Sequence, residues 1–280
     1  MKIAAAIIHG VGKQDPDFAD GMIESLINEF ASEAGITRAM ARQELIIEPV
    51  YWAPVMQRPE DDLWKRLKSQ HDLDFLALRQ IMIDLAGDGL AYQPARKEQV
   101  VYDQVHAVVA NSLTKLSQSA GPQAPLCVIS HSLGTVIASN FFYDLQSGKS
   151  AAQTPLEQGK TLTLFYTMGS PIAIWSLRYR ASATSVEFGT PIDVPARELP
   201  GYYPSLQGEW LNFFDEDDVI GYPLQVLNNE YEKRVKDVPV NVGNLLSSWN
   251  PASHLGYWDD DDIIEPIAKS LARTWRAVNA

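Results

Sequence analysis

Residues 127–136, with the sequence CVISHSLGTV, form the stretch that decides the fold of this chain. Its first residues are typical of a buried strand, and the residues after Ser132 favour a helix. A serine on such a sharp strand-to-helix turn presents its hydroxyl to a reacting group, while the first helical amides point at the same place. Ser132 is therefore the candidate nucleophile, and the amide of Leu133 is a candidate donor to a developing oxyanion.

The residues around this turn follow the pattern SxSxG, formed by Ser130, Ser132 and Gly134. The position two residues before the nucleophile must be small because strand and helix backbones come close together there. Serine meets that requirement less well than glycine. Because serine is also a common helix N-cap, the pattern alone leaves a catalytic and a capping interpretation open.

The second informative stretch is KIAAAIIHGVGKQ, residues 2–14, which predicts a buried strand followed by a glycine-containing loop. A loop of this kind supplies the second oxyanion donor in serine hydrolases of α/β architecture, and the amide of Val11 is the candidate. Gly10 and Gly12 allow the backbone to approach a substrate, and we expect His9 to shape the loop. An ordinary strand-to-helix turn is the alternative.

An acid is predicted in GEWLNFFDEDDVIGYPL, residues 208–224, where an apolar strand runs into four consecutive acidic residues. A carboxylate just after a central strand can orient an imidazole, and Asp218 is best placed to do so. Asp215 and Asp217 remain alternatives. A solvated acidic loop is the non-functional interpretation.

A base is predicted in NPASHLGYW, residues 250–258, where His254 lies in a loop before the last helix. We expect structural roles for the other four histidines, which are His9, His71, His106 and His131. Ser132, Asp218 and His254 follow the chain order serine, acid, histidine, which is the order of α/β-hydrolases and not that of chymotrypsin or subtilisin.

The segments HGVG, SHSLGT, FYTMGSP, WLNFFDEDDVIGYPL and SHLGYW together resemble an α/β-hydrolase of the lipase-like serine esterase type. This resemblance implies a parallel sheet flanked by helices, a Ser–Asp–His triad and the hydrolysis of an ester. Carried onto this chain, it makes Ser132 the nucleophile, Asp218 the acid and His254 the base. The implied oxyanion donors are the amides of Val11 and Leu133.

The whole chain, residues 1–280, is interpreted as one α/β domain with a mostly parallel sheet of about six strands. Residues 56–95 predict a helical insertion. Two roles remain open for it: it covers the site as a lid, or it packs against the rest of the protein or a second copy. Residues 175–209 predict a long loop near the site. The remaining predicted elements are a helix closed by Gly35, a strand at 44–52, a helix over 97–118, a strand at 161–168, a weaker strand at 239–243 and a closing helix containing Ile263 and Trp275.

Composition limits the classes of partner. A net charge of −12 argues against binding nucleic acid or an anionic membrane by general attraction. The single cysteine, Cys127, cannot form an intramolecular disulfide, and we assign no metal or other cofactor. The acidic run Asp259–Asp262 is interpreted as a helix start instead of a calcium site.

The sequence contains no run of eighteen apolar residues, the length that would predict a membrane span, and its first residues do not resemble a signal peptide. We therefore expect a cytoplasmic protein without integral membrane association, acting on a small-molecule or lipid-like ester. The oligomeric state is open. Two other functions also remain open: a thioesterase or amidase with the same triad, and a non-catalytic module that binds a partner through exposed aromatic residues around Trp249, Tyr257 and Trp258.

Overall fold

The centre of the protein is a six-stranded sheet in which every strand runs parallel to its neighbours. The computed structural model describes residues 1–11, 14–55, 92, 100–149, 152–177, 188–242 and 253–280. The strands are β1 (Ile3–Ile8), β2 (Leu45–Val50), β3 (Leu126–His131), β4 (Leu162–Met168), β5 (Glu209–Asp215) and β6 (Val235–Val240), in the spatial order β2-β1-β3-β4-β5-β6. The predicted fold class, α/β with a parallel sheet of about six strands, is confirmed.

Helices connect the strands, as parallel pairing requires. They are α1 (Asp20–Ala34), α2 (Arg38–Glu44), α3 (Val100–Ala120), α4 (Leu133–Gln146), α5 (Ile172–Ser176), α6 (Asn229–Arg234) and α7 (Asp261–Asn279). The predicted helix ending at Gly35 is confirmed: Gly35 has φ 68° and closes α1 with its amide bonded to the carbonyls of Ala31 and Ser32. The helix predicted over 97–118 is α3, and the predicted closing helix is α7.

Apolar side chains cover both faces of the sheet. Alternate residues of β1 separate cleanly: Ala4, Ala6 and Ile8 join the core shared with α3 and α4, while Ile3, Ala5 and Ile7 join the core shared with α1 and α7. Strands buried on both faces carry nearly continuous apolar runs, which is why their sequence signal was strong. The layered core holds the carboxyl ends of the central strands together at one edge.

The bounds predicted for the edge strand were wrong. The weak strand predicted at 239–243 is β6, which begins at Val235 and ends at Val240. It lies at the edge of the sheet and has one buried residue, Val235, so no apolar run marks its start. Within the predicted loop 175–209, the described residues include the end of α5 at Ser176 and a 3₁₀ turn, Leu199–Gly201, and residues 178–187 lie outside the described residues. The predicted insertion 56–95 lies outside the described residues except for Tyr92.

Candidate active site

Ser132 occupies the turn between β3 and α4 in a conformation that side chains rarely adopt. Its φ is 52° and its ψ is −129°, and among the described residues it alone combines a positive φ with a side chain. Such a conformation costs on the order of 1–3 kcal/mol and persists only where the surroundings impose it. Here the Ser132 amide donates to the carbonyl of Met168 at 3.0 Å, which ties the turn to β4.

Two glycines let the turn and the end of β1 come into direct contact. A Cβ added at Gly10 would lie 2.5 Å from the Cβ of Ser132 and 3.1 Å from its Oγ. A Cβ at Gly134 would collide with the backbone carbonyls of Ile8 and His9. Only glycine fits at either position, so the loop after β1 lies against Ser132.

Ser132, His254 and Asp218 form a continuous chain of hydrogen bonds, which we call the hydrogen-bonded chain. The Oγ of Ser132 lies 2.8 Å from Nε2 of His254, and Nδ1 of His254 lies 2.8 Å from Oδ2 of Asp218. All three residues are buried, with at most 4 % of their surface exposed. Because an ionised carboxylate only accepts, Nδ1 carries the proton and Nε2 accepts from the serine hydroxyl.

Asp218 is held as an anion by the groups around it. Its Oδ1 accepts from the amide of Ile220 at 2.9 Å, and its Oδ2 accepts from the hydroxyl of Tyr257 at 2.9 Å as well as from His254. Burial raises the pKa of Asp218, but these hydrogen bonds, together with the attraction between the carboxylate and a protonated His254, outweigh burial, so the pKa is lowered overall. The carboxylate therefore stays negative beside His254.

The structure distinguishes Asp218 from the two alternative acids. Asp215 is buried, and its oxygens accept from the amides of Asp217 at 2.8 Å and Val242 at 2.8 Å, which braces the end of β5. Asp217 has an exposed side chain. Of these three acids, Asp218 is the one whose carboxylate bonds to His254.

His9 fixes the loop that follows β1. Its Nδ1 donates to the carbonyl of Gly10 at 2.8 Å, and its Nε2 accepts from the amides of Trp52 at 3.1 Å and Ala53 at 3.3 Å. The Trp52 indole stacks on the His9 ring and donates to the His9 carbonyl at 2.9 Å. Burial lowers the pKa of His9 to about 4, so the ring stays neutral and holds Gly10 and Val11 near Ser132.

His131 ties the nucleophile strand to the segment that carries His254. Its Nε2 donates to the backbone carbonyl of His254 at 2.7 Å, and the two rings lie 4.8 Å apart. Burial, and after it the charge of the neighbouring His254, lowers the pKa of His131 to about 3. A neutral ring at this place adds no positive charge beside His254.

His254 lies in a 3₁₀ turn, Ser253–Trp258, and not in an irregular loop. The sequence interpretation of Tyr257 as an exposed aromatic residue was wrong, because Tyr257 is fully buried. Its hydroxyl bonds to Asp218 and to the amide of Asp215, a contact that no sequence pattern indicated. Trp258 is partly buried with its ring edge against Phe18.

The remaining predicted site residues are placed as follows. Leu133 begins α4, so its amide belongs to the first turn, where the N–H groups have no acceptor within the helix. Ser130 is buried and donates to the carbonyl of Tyr166 at 3.0 Å. His106 lies in α3 beside Tyr92 at 2.8 Å, away from the hydrogen-bonded chain. Gly12, His71 and Trp249 lie outside the described residues.

In the part of the chain that the structure describes, no group of three or more His, Cys, Asp or Glu side chains is arranged to hold a metal ion. Within the same residues, no helix combines the length and the apolar character needed to cross a membrane. Cys127 is fully buried in β3, and burial raises the pKa of its thiol.

No protein-family model matches this sequence, and no curated protein matches it. The chain is similar in structure to an alpha/beta superfamily hydrolase from Xanthomonas campestris pv. campestris, with 11% identity, 98% of this chain and 99% of that chain covered, and a TM-score of 0.39. A Pyrobaculum calidifontis esterase shares 12% identity over 97% of this chain and 77% of its own, with a TM-score of 0.40. A Rhizomucor miehei esterase shares 14% identity over 100% and 77%, with a TM-score of 0.40.

Proposed function

We propose that this protein is a serine hydrolase that cleaves a carboxylic ester through an acyl-enzyme intermediate. The observation that carries the proposal is the hydrogen-bonded chain Ser132–His254–Asp218, with 2.8 Å at each step, built on a serine with a strained backbone. A buried Ser–His–Asp chain of this geometry is the arrangement that activates a serine hydroxyl.

In the proposed reaction, His254 removes the proton from the Ser132 hydroxyl as Oγ attacks the carbonyl carbon of the ester. The carbonyl oxygen becomes an oxyanion, and His254 passes the proton to the departing alcohol as the tetrahedral intermediate collapses. Water then attacks the acyl-enzyme by the same proton transfers and releases the acid. Asp218 keeps His254 in the required tautomer and stabilises its protonated form.

The proposed oxyanion donors are the backbone amides of Leu133 and Val11. Leu133 follows the nucleophile at the start of α4, and Val11 follows Gly10, whose backbone lies against Ser132. A donor of this kind is typically worth about 3 kcal/mol of transition-state stabilisation. The two proposed donors come from separate elements, the loop after β1 and the start of α4.

Ester hydrolysis is tested with p-nitrophenyl esters of increasing acyl length and two variants. Ser132→Ala should lower kcat by several orders of magnitude, because the nucleophile is lost. Ser130→Ala is the matched control: it removes a buried serine hydroxyl two residues away that bonds to a backbone carbonyl. The proposal fails if Ser132→Ala keeps the wild-type rate.

The bond that is cleaved is tested separately, because the triad itself does not distinguish esters from thioesters or amides. Matched ester, thioester and amide substrates with one acyl group give three values of kcat/KM. We expect the ester to have the largest value. A larger value for the thioester or the amide would keep the mechanism and change the substrate class.

A further inference from the structure

Tyr257 makes two hydrogen bonds that belong to different elements of the site. Its hydroxyl oxygen lies 2.9 Å from the amide nitrogen of Asp215, the last residue of β5, and 2.9 Å from Oδ2 of Asp218. It is fully buried and stands three residues after His254 in the turn Ser253–Trp258. One hydroxyl therefore links the end of β5, the acid and the segment that carries the base.

The direction of the Tyr257 hydroxyl proton follows from its partners. The Asp215 amide can only donate, so it occupies a lone pair on the phenolic oxygen. The hydroxyl hydrogen is then free to point at Asp218, whose carboxylate can only accept. Oδ2 of Asp218 thus receives two donors, the hydroxyl of Tyr257 and Nδ1 of His254.

The ring of Tyr257 is fully buried and packs closely against two glycines. A Cβ added at Gly169 would lie 3.0 Å from Cε2 of Tyr257, and a Cβ at Gly221 would lie 3.2 Å from its hydroxyl oxygen. The charged and titratable groups that face the hydroxyl are Asp215 and Asp218, and the rings of His131 and His254 lie alongside. Burial and two hydrogen bonds hold the hydroxyl beside Asp218.

We propose that Tyr257 is a positioning residue: its hydroxyl holds the Asp218 carboxylate in the orientation that supports His254 and limits how strongly that carboxylate attracts the proton on His254. This inference rests on the proposed hydrolytic function and assigns it a fourth side chain. A donor to a carboxylate shares its negative charge, so removing the donor leaves a stronger anion beside the imidazole. Tyr257 then affects both the geometry and the proton affinity of the site.

The test uses Tyr257→Phe with Tyr166→Phe as the matched control. Tyr166 is also fully buried, and its hydroxyl bonds to Oε1 of Glu209 at 2.8 Å, away from the hydrogen-bonded chain. Each variant loses one buried hydroxyl bonded to a carboxylate, so both should lower the melting temperature. Only Tyr257→Phe should lower kcat, by about tenfold with KM unchanged, because the base is less well aligned.

The profile of kcat/KM against pH supplies a readout that a purely structural role would not change. In Tyr257→Phe the midpoint of the acid limb should move to higher pH, because the unshared carboxylate favours the protonated imidazole. 3-Fluorotyrosine at position 257, introduced by codon suppression, is a stronger donor in nearly the same volume. It should move the midpoint to lower pH, and it tests the inference even if Tyr257→Phe does not fold.

The outcomes separate the two proposals. If the wild-type protein hydrolyses esters through Ser132 but both substitutions at position 257 keep the wild-type kcat and pH profile, Tyr257 is only a structural residue and this inference is wrong. If the wild-type protein shows no hydrolysis that depends on Ser132, the proposed function is wrong and the role of Tyr257 is rejected with it.

Discussion

Two buried histidines, His9 and His131, and the partly buried His106 predict a steep loss of folding stability in weak acid. Burial lowers the pKa of His9 and His106 to about 4 and that of His131 to about 3, whereas each titrates near 6.5 in the unfolded chain. Between pH 6.5 and 4 the unfolded chain takes up protons that the folded protein does not. The unfolded state is therefore favoured as the pH falls through that window.

The size of the effect follows from those pKa values. Lowering the pH from 7 to 5 should cost about 2 kcal/mol of unfolding free energy for each histidine, and about 6 kcal/mol for the three. Urea unfolding followed by tryptophan fluorescence at several pH values measures this loss. Because net stabilities are about 5–15 kcal/mol, the protein should be close to unfolding at pH 5.

His106→Gln is the variant that isolates one of these histidines, since His106 lies in α3 away from the hydrogen-bonded chain. It should reduce the loss between pH 7 and 5 by about 2 kcal/mol, the contribution of one histidine. A wild-type stability that does not change over this range, or a loss that is the same in the variant, would refute the reasoning.

Three further predictions concern the site itself. Gly10→Ala should lower kcat/KM about 100-fold, because the Cβ of the new alanine would lie 2.5 Å from the Cβ of Ser132 and displace the nucleophile. Steady-state kinetics on an ester measures this effect, and an unchanged kcat/KM would contradict the geometry. The unfolding free energy of Ser132→Gly, measured by urea unfolding, should exceed that of Ser132→Ala by about 1 kcal/mol, since glycine relieves the strain at φ 52°. Equal unfolding free energies would show that the turn is not strained. Asp218→Asn should lower kcat by about 10⁴-fold, whereas Asp217→Asn, at an exposed position, should change kcat less than twofold. The reverse result would assign the role of the acid to Asp217.

Much of the fold could be predicted because buried parallel strands carry continuous apolar runs. β1, β3 and β4 are buried along their whole length, and the sequence located all of them. The edge strand β6 has one buried residue and no continuous apolar run, so its start was missed. The short helices α2 and α6 have one buried residue each, and so little apolar periodicity that no pattern predicted them.

The candidate site could be predicted in part because chain order and local context single out Ser132 and His254. The choice among three neighbouring acids could not be made with certainty from sequence, since it depends on which carboxylate the turn after β5 directs inward. The role of Tyr257 was missed for a similar reason: burial of an aromatic residue in a 3₁₀ turn depends on distant elements, and an isolated tyrosine carries no periodic signal.

The most direct test of the proposed function is covalent labelling by a fluorophosphonate probe, followed by mass spectrometry of the tryptic peptide spanning residues 116–149. This peptide contains Ser132 and several other serines, so fragmentation identifies the modified side chain. The hydrogen-bonded chain predicts a single adduct on Ser132 that is absent in Ser132→Ala and retained in Ser130→Ala. An unlabelled wild-type protein, or an adduct that persists in Ser132→Ala, would contradict the proposal.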